Sequence, residues 1–271
     1  MKVSLIYPVF DRGELLRNSL KRLRLLPTQP DEIIIVDDGS TKDNIEAICE
    51  EFNVDTYLRI ENPKYDACSR PKNIGLKNAK YDVVIYSEPE VIFVTDVIGQ
   101  MKTLLESNPD KIISCGTMFF EKNNFRLDHS ESLEKELENA PIQEWVHGTV
   151  DVHANDGCLT KSLGMMALFT IGAYKKHLIN VGGWDEDMML DNGGGGYGWD
   201  DTDLCTRLRV NGHNQLVHED LWSLHQWHDR VPFPQADGWK RNQEIFDSKK
   251  VDNDIPKENI VANKDREWGI I

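Results

Sequence analysis

The sequence predicts an α/β fold: a mainly parallel sheet with helices on both faces. Three observations carry that prediction. Strand-length segments rich in Ile, Val, Leu and Tyr recur at residues 3–7, 32–36, 56–60, 82–86 and 111–116. Stretches between them, at residues 14–26, 44–52, 70–80 and 97–107, place apolar residues at helical spacing, as Leu16, Leu20 and Leu23 do. The two kinds alternate through the first 115 residues, as helices crossing over a parallel sheet require.

Residues 3–7 form an apolar run closed by Pro8, and 14–26 follow with basic residues between the leucines. Residues 32–36 are an Ile/Val run, completing β-α-β. A helix at 44–52, a strand at 56–60, a helix at 70–80 and a buried strand at 82–86 repeat the unit. A helix at 97–107 and a strand at 111–116 complete the alternation. From 119 to 163 it gives way to polar, charged and glycine-bearing sequence with one helical stretch near 132–139. Irregular segments of that length inside a compact domain are functional or mobile. Periodicity returns at 167–181, followed by a Gly/Asp-dense stretch at 182–203, a helix at 202–211 and a His/Trp-rich stretch at 221–228. The tail beyond Val251 is polar and is expected to be a weakly attached arm. There is no internal repeat.

Composition limits the function. The 271 residues, 39% hydrophobic and 28% charged, suffice for a sizeable core. Thirty-one basic against 46 acidic side chains give a formal charge of −15, which disfavours bulk binding to nucleic acid or anionic membranes. Acidic clusters on one face would instead suit a divalent cation. Five scattered cysteines without a C-x-x-C pair fit a reducing compartment. With no membrane-length apolar run and an N-terminal run too short for a signal peptide, the expectation is a soluble cytoplasmic protein.

Acids cluster where strands end. Asp11 follows the first strand, Asp37-Asp38-Gly39-Ser40 the second, and Ser87-Glu88-Pro89-Glu90 the strand at 82–86. In open α/β sheets these ends share one rim, and ligands bind there. The pair Glu88 and Glu90, with Pro89 between, can aim two carboxylates at one Mg2+ or Mn2+; a solvated turn is the other reading. Gly193 to Gly196, between Gly182-Gly183-Trp184-Asp185-Glu186 and Asp200-Asp201-Thr202-Asp203, mark a loop that moves or approaches a ligand closely. No strand precedes them as a dinucleotide fingerprint requires, and the acids lack EF-hand spacing. His225 and His228 flank Trp227; they read as a packed pair or as a source of a further Mn2+ ligand.

Taken in order, these motifs resemble the family 2 glycosyltransferases of GT-A fold. Pro8-Val9-Phe10-Asp11-Arg12 matches the pattern closing their first strand, and Val36 to Ser40 matches V-D-D-G-S. Lys72-Asn73-Ile74-Gly75 matches [RK]-N-x-G, Gly182 to Glu186 the acceptor-side G-G-[WF]-D-E, and Asp200 to Leu208 E-D-x-D-L-x-x-R-L. The likeness covers about residues 3–230. Two motifs depart from the pattern: Glu88-Pro89-Glu90 stands in place of D-x-D, and Asp200-Asp201 in place of Glu-Asp. Pro71 is expected to interrupt its helix start.

The resemblance implies a GT-A fold, Rossmann-like, as a single merged domain. Residues 1–116 would bind the nucleotide sugar, 117–230 would form the acceptor-binding and catalytic half, and 231–271 a C-terminal extension. Pro8, Phe10, Arg12, Asp38, Arg70, Lys72 and Glu88 would bind the donor, with Asp38 on the uracil and Arg70 or Lys72 near the pyrophosphate. Glu90, Glu88 and His225 or His228 would hold Mn2+ or Mg2+. Asp201, beside Asp200, would be the general base, and Trp184, Asp185 and Trp199 would contact the acceptor or the sugar.

The implied activity is inverting, metal-assisted transfer from a nucleotide sugar, a UDP-sugar first. The acceptor could be a glycan, a lipid-linked sugar, a protein side chain or a modified base, with contacts sought among Trp145, His147 and His153. A non-catalytic nucleotide-sugar-binding module is the alternative; only the Glu-Pro-Glu variation supports it. A sugar-nucleotide pyrophosphorylase would need a glycine-rich, arginine-bearing loop where Pro8 to Arg12 stand.

Overall fold

The computed structural model describes residues 1–61, 69–120, 142–144, 158–159, 169–188, 198–226, 228 and 236–271. The chain begins β1 (Val3–Val9), α1 (Gly13–Leu25), β2 (Glu32–Asp37), α2 (Ile45–Glu51), β3 (Thr56–Arg59), α3 (Ser69–Asn78) and β4 (Val83–Ser87). It continues through β5 (Val91–Phe93), α4 (Val97–Ser107), β6 (Ile112–Phe120), β7 (Ile142–Glu144) and β8 (Cys158–Leu159). β9 (Thr170–Tyr174), α5 (Lys175–Asn180), α6 (Asp200–Val210), β10 (Gln215–His225) and α7 (Ala236–Ser248) follow.

One sheet in the order β3-β2-β1-β4-β9-β6-β10-β5 runs through the molecule, with β7 on β6 and β8 on β10. Its N-terminal half is parallel, β2 pairing with β3 and β1 with both β2 and β4. In the other half, β9 joins antiparallel to β4 and β6, while β10 runs parallel to β6.

The apolar strands feed two cores. Leu5, Tyr7, Ile33, Ile35, Val83 and Ile85 face the layer holding Leu16 and Leu20 of α1 and Met101 and Leu105 of α4. Their alternates Ile6, Ile34, Val36, Val84 and Tyr86 face Ile74 of α3 and Leu204 and Leu208 of α6. Because successive side chains point to opposite faces, a strand covered on both must be apolar throughout.

The elements expected up to residue 116 are present with small shifts at their ends. α3 runs through Pro71, which lies in its first turn, where a backbone N–H has no intrahelical partner to lose. β5, three residues long, is too short to show a period. β10 shifts register against β6 between Val217 and Trp222, so its alternation is broken in the sequence. α7 buries Gly238, Asn242 and Phe246, a face with a single large apolar side chain. The helical stretch near 132–139 and the glycines 193–196 lie outside the described residues.

The tail corrects its expectation as a weakly attached arm. Ile255, Ile260 and Ala262 are buried, the Ala262 N–H donates to Val181 O at 3.0 Å, and Lys77 lies 4.0 Å from the Trp268 ring centroid. Its anchors are mostly backbone and amide hydrogen bonds, which hydropathy does not register. Among the described residues no helix is long and apolar enough to cross a membrane.

The depth of α3 is set at Gly75, where a Cβ would meet Ile6 Cγ2 at 2.4 Å. In an exposed helix Gly→Ala is stabilising by about 1 kcal/mol. Here overpacking against a buried, branched side chain outweighs propensity, and Gly75→Ala is expected to cost roughly 1–3 kcal/mol. Urea unfolding measures the sign; a more stable variant refutes the packing argument.

Candidate active site

The rim forms because β1 outruns one neighbour. Its ladder with β4 stops at Ile6↔Tyr86, while that with β2 reaches Val9↔Asp37. Pro8 stands beyond the β4 pairing, so its missing N–H breaks no ladder on that side. Phe10 and Asp11 then turn the chain, Asp11 at φ 48°, and the Asp11 carboxylate accepts from the N–H groups of Thr41 and Lys42 at 2.7 and 2.8 Å. Asp37 accepts from Ser40 N, Tyr57 OH and Arg59 Nη1 at 2.7, 2.9 and 2.5 Å, a structural commitment. Asp38 follows, buried, with its N–H on Val9 O at 2.8 Å.

Beside this rim lies an acidic pocket centred on Lys72. The Lys72 side chain is 3% exposed, and its Nζ lies 2.9 Å from Glu88 and 3.9 Å from Asp201. Tyr86 OH donates to the Lys72 carbonyl at 3.2 Å. Burial pushes Glu88 up to about 7 against the pull of Lys72, with the charges of Glu90 and Asp201 adding to the rise. Asp200 rises to about 6 through burial and the charge of Asp201. Both aspartates sit on the first turn of α6, where the helix dipole favours negative charge.

The second cluster is Glu90 with His225 and His228. Val91 N donates to Glu88 O at 3.0 Å, closing a turn at Pro89. Gln226 N donates to Glu90 O at 2.9 Å, which brings the end of β10 alongside. His225 Nε2 and His228 Nε2 lie 3.6 and 3.4 Å from Glu90 Oε1, and the three ligand atoms fall within 4.8 Å of one another. Burial alone would raise the Glu90 carboxyl; hydrogen bonds from the two imidazoles outweigh it and hold the group well below its ordinary range. Two imidazole nitrogens and a carboxylate oxygen are a donor set that suits a divalent metal such as Mn2+.

Trp184 backs the acidic pocket. It is fully buried, with Tyr86 edge-on at 4.6 Å, Lys72 Nζ 5.3 Å from its ring centroid, and Nε1 donating to Asp201 at 3.5 Å. Asn73 fixes its backbone, accepting from Trp184 N at 2.9 Å and donating to Trp184 O at 2.8 Å. From the tail, Asn263 donates to Gly182 O and Trp184 O at 2.8 and 2.7 Å and accepts from Glu186 N at 3.1 Å.

Beneath the loop lies a buried ionic network. Arg207 Nε donates to Asp203 at 2.7 Å, and its Nη atoms donate to Val181 O and Gly183 O at 2.5 and 2.8 Å. Lys249 bridges Asp185 and Asp203 at 2.6 and 2.5 Å.

The sequence pattern of Glycosyl transferase family 2 matches residues 4–159. The chain belongs to that family. It is 25% identical over 268 residues to the uncharacterized glycosyltransferase YfnE of Bacillus subtilis (strain 168), covering 84% of this chain and 65% of that protein. With the poly-beta-1,6-N-acetyl-D-glucosamine synthase of Staphylococcus aureus (strain COL) it shares 20% identity over 244 residues, 86% of this chain and 54% of that one. The chain thus spans only part of the relatives it matches. The fold is that of solved GT-A glycosyltransferases. S. aureus TarS in complex with UDP superposes with a TM-score of 0.66 at 12% identity, covering 95% of this chain and 68% of that chain. GalNAc-T7 with UDP, GalNAc and Mn2+ gives 0.68 at 12% identity, covering 93% and 48%.

Within this family fold, the residues expected in the site separate into groups. Lys72, Glu88, Asp200 and Asp201 come together in one pocket, and Glu90, His225 and His228 in one triad. Glu88, expected at the donor and beside Glu90 at the metal, pairs with Lys72, and the turn at Pro89 gives the two side chains different partners. Arg70 donates to Ile270 O at 3.2 Å, and Lys72 lies against Glu88 and Asp201. Trp184 and Asp185, expected to contact the acceptor, are 0% and 3% exposed and brace Asp201 and Lys249.

Trp199, immediately before Asp200, takes φ 71° and stacks on Phe246 at 5.3 Å. Trp145, His147 and His153 lie outside the described residues. The sequence reading missed Asn73, Lys249 and Asn263 as braces. Asn73 was visible beside Lys72 in the K-N-x-G motif, whereas nothing local marks Lys249 or Asn263.

Burial would raise Asp185, but the charge and hydrogen bond of Lys249 lower it below the ordinary aspartate value. A depressed carboxyl adds stability above its unfolded value, about 3.9, and loses it as pH falls through the folded value. Lys249→Met strands that charge and is expected to cost roughly 3–5 kcal/mol at neutral pH. The gap from wild type should narrow as pH falls below about 3.9 and close only below the depressed folded value, where Asp185 is protonated in both proteins. Denaturant melts across that range test it; a gap independent of pH contradicts the assignment.

Proposed function

We propose that this chain transfers a sugar from a UDP-sugar to an acceptor hydroxyl by single displacement with inversion. The observation that carries this reading is the Lys72–Glu88–Asp201 pocket beside the Glu90–His225–His228 triad at the carboxyl ends of the strands. The UDP held by TarS and GalNAc-T7, and the Mn2+ held by GalNAc-T7, support the donor and the metal.

Asp201 takes the proton of the attacking hydroxyl. The new bond forms at the anomeric carbon as its bond to the diphosphate oxygen breaks, and UDP leaves with that electron pair. Trp184 Nε1 and Lys72 hold the Asp201 carboxylate in place. Glu90 with the imidazoles would hold Mn2+ in preference to Mg2+, since Mg2+ favours an all-oxygen shell. When bound, that cation supplies charge neutralisation for the leaving diphosphate. Arg12, Asp38, Pro8 and Phe10 stand on the rim where the nucleotide would lie, within the donor half at 1–116. Residues 117–230 then serve the acceptor, which draws on the hydroxyl-bearing classes above, with Trp199 nearest the base in sequence. The free, buried Cys49, Cys115 and Cys205 suit a reducing, cytoplasmic setting.

Asp201→Asn is expected to lower kcat by about 10²- to 10⁴-fold, the range for a lost general base. UDP affinity by calorimetry should hold, and EDTA should abolish turnover until Mn2+ is restored. Release of UDP with a panel of UDP-sugars and acceptors reads the rate. Full activity in Asp201→Asn, or indifference to EDTA, refutes the mechanism.

A further inference from the structure

We propose that Arg12 keeps His228 out of the metal shell until a diphosphate draws the guanidinium away. The inference rests on reading Glu90, His225 and His228 as a metal site. Its starting point is one contact: Arg12 Nη2 lies 3.3 Å from His228 Nδ1. Arginine has only donors, so Nδ1 must be the accepting nitrogen of the ring. The other nitrogen, Nε2, faces Glu90 Oε1 at 3.4 Å, and an ionised carboxylate only accepts. Both partners therefore select the same neutral tautomer, with the proton on Nε2.

That tautomer has no lone pair to offer a metal at Nε2. His225 Nε2 faces the same Glu90 oxygen at 3.6 Å, but the guanidinium lies against His228, so the lock acts on His228. For His228 to ligate through Nε2, its proton must move to Nδ1, which the guanidinium occupies. No change in ring charge is needed, only release of Nδ1.

Arg12 is placed to respond to the donor. It follows Asp11 in the turn after β1, on the rim where strand ends converge, and a planar guanidinium matches phosphate oxygens better than a single imidazole nitrogen. Engagement of a diphosphate frees His228 and adds a third protein ligand. Arg12 is then a positioning residue that couples donor binding to metal binding, beyond any direct bond between metal and phosphate.

Two readouts test this without turnover. In metal-free protein, ¹⁵N NMR of histidine should show His228 as the Nε2–H tautomer, and Arg12→Met should give a mixture. In Mn2+ titrations by calorimetry, UDP should tighten wild-type affinity by roughly 5- to 150-fold, the usual span of coupling between sites. Uridine should not. Arg12→Met should bind Mn2+ more tightly than wild type without nucleotide and lose part of the UDP effect.

Loss of a nearby positive charge would also tighten Mn2+, so the cycle with His228→Asn decides. In that background Arg12→Met should leave Mn2+ affinity unchanged. Equal tightening in both backgrounds, or an Nδ1–H tautomer in wild type, overturns the lock. Glu90→Gln tests the underlying site: if Mn2+ binds as before, the metal reading and the lock fall together, whereas loss of Mn2+ with an unchanged cycle sinks the lock alone.

Discussion

The site depends on holding one ammonium group among carboxylates that would otherwise repel one another. Glu88, Glu90, Asp200 and Asp201 interact within one largely buried region, and Lys72 is the cation set directly against two of them. Its position follows from the seating of α3. Gly75 lets the helix approach β1, which brings Lys72 under the end of β4 and Asn73 against the backbone of Trp184. Trp184 in turn donates to Asp201. A contact between a glycine and an isoleucine thus fixes, through three side chains, where the proposed base stands.

Two ionic clusters lie close together and differ in balance. Asp185 and Asp203 face Lys249 and Arg207, and the burial that would raise Asp185 is more than offset. In the Lys72 pocket compensation is incomplete, and burial wins: Glu88 and Asp200 are pushed up. The paired cluster stabilises the loop and the start of α6. The underpaired one stores the electrostatic demand that a cation and a diphosphate together can meet. The excess of acid over base in the composition is therefore concentrated in part where it has a chemical use.

Legibility followed the range of the interactions. The β-α units could be read because buried parallel strands must be apolar and their helices amphipathic, both local properties. The acids of the candidate site could be read because they sit where strands and helices end. Features set by distant partners could not. Nothing in Glu88-Pro89-Glu90 shows that the turn gives one acid to Lys72 and the other to two histidines. Trp184 looks like a sugar platform from its loop; its burial follows from Tyr86 and Asn73, about a hundred residues away in sequence. The tail looked unattached because Asn263 and Ala262 anchor it through hydrogen bonds.

The family pattern covers residues 4–159, which include the rim, Lys72, Glu88 and Glu90. Asp201, His225, His228, Lys249 and Asn263 all come later in the chain. A nucleoside diphosphate presents the same groups to every enzyme that uses it, so the surface that holds it is narrowly constrained. In the proposed reaction, the part of the chain that supplies the base must also admit an acceptor. The proposed reaction needs one carboxylate and one or two imidazoles placed against residues 1–116. Here that placement comes from buried hydrogen bonds: Arg207 to the backbone of the Trp184 loop, Asn263 across the same loop, and the β10 ladder carrying His225 to Glu90. Such bonds hold the geometry of the proposed base and imidazoles without dictating the surface around them.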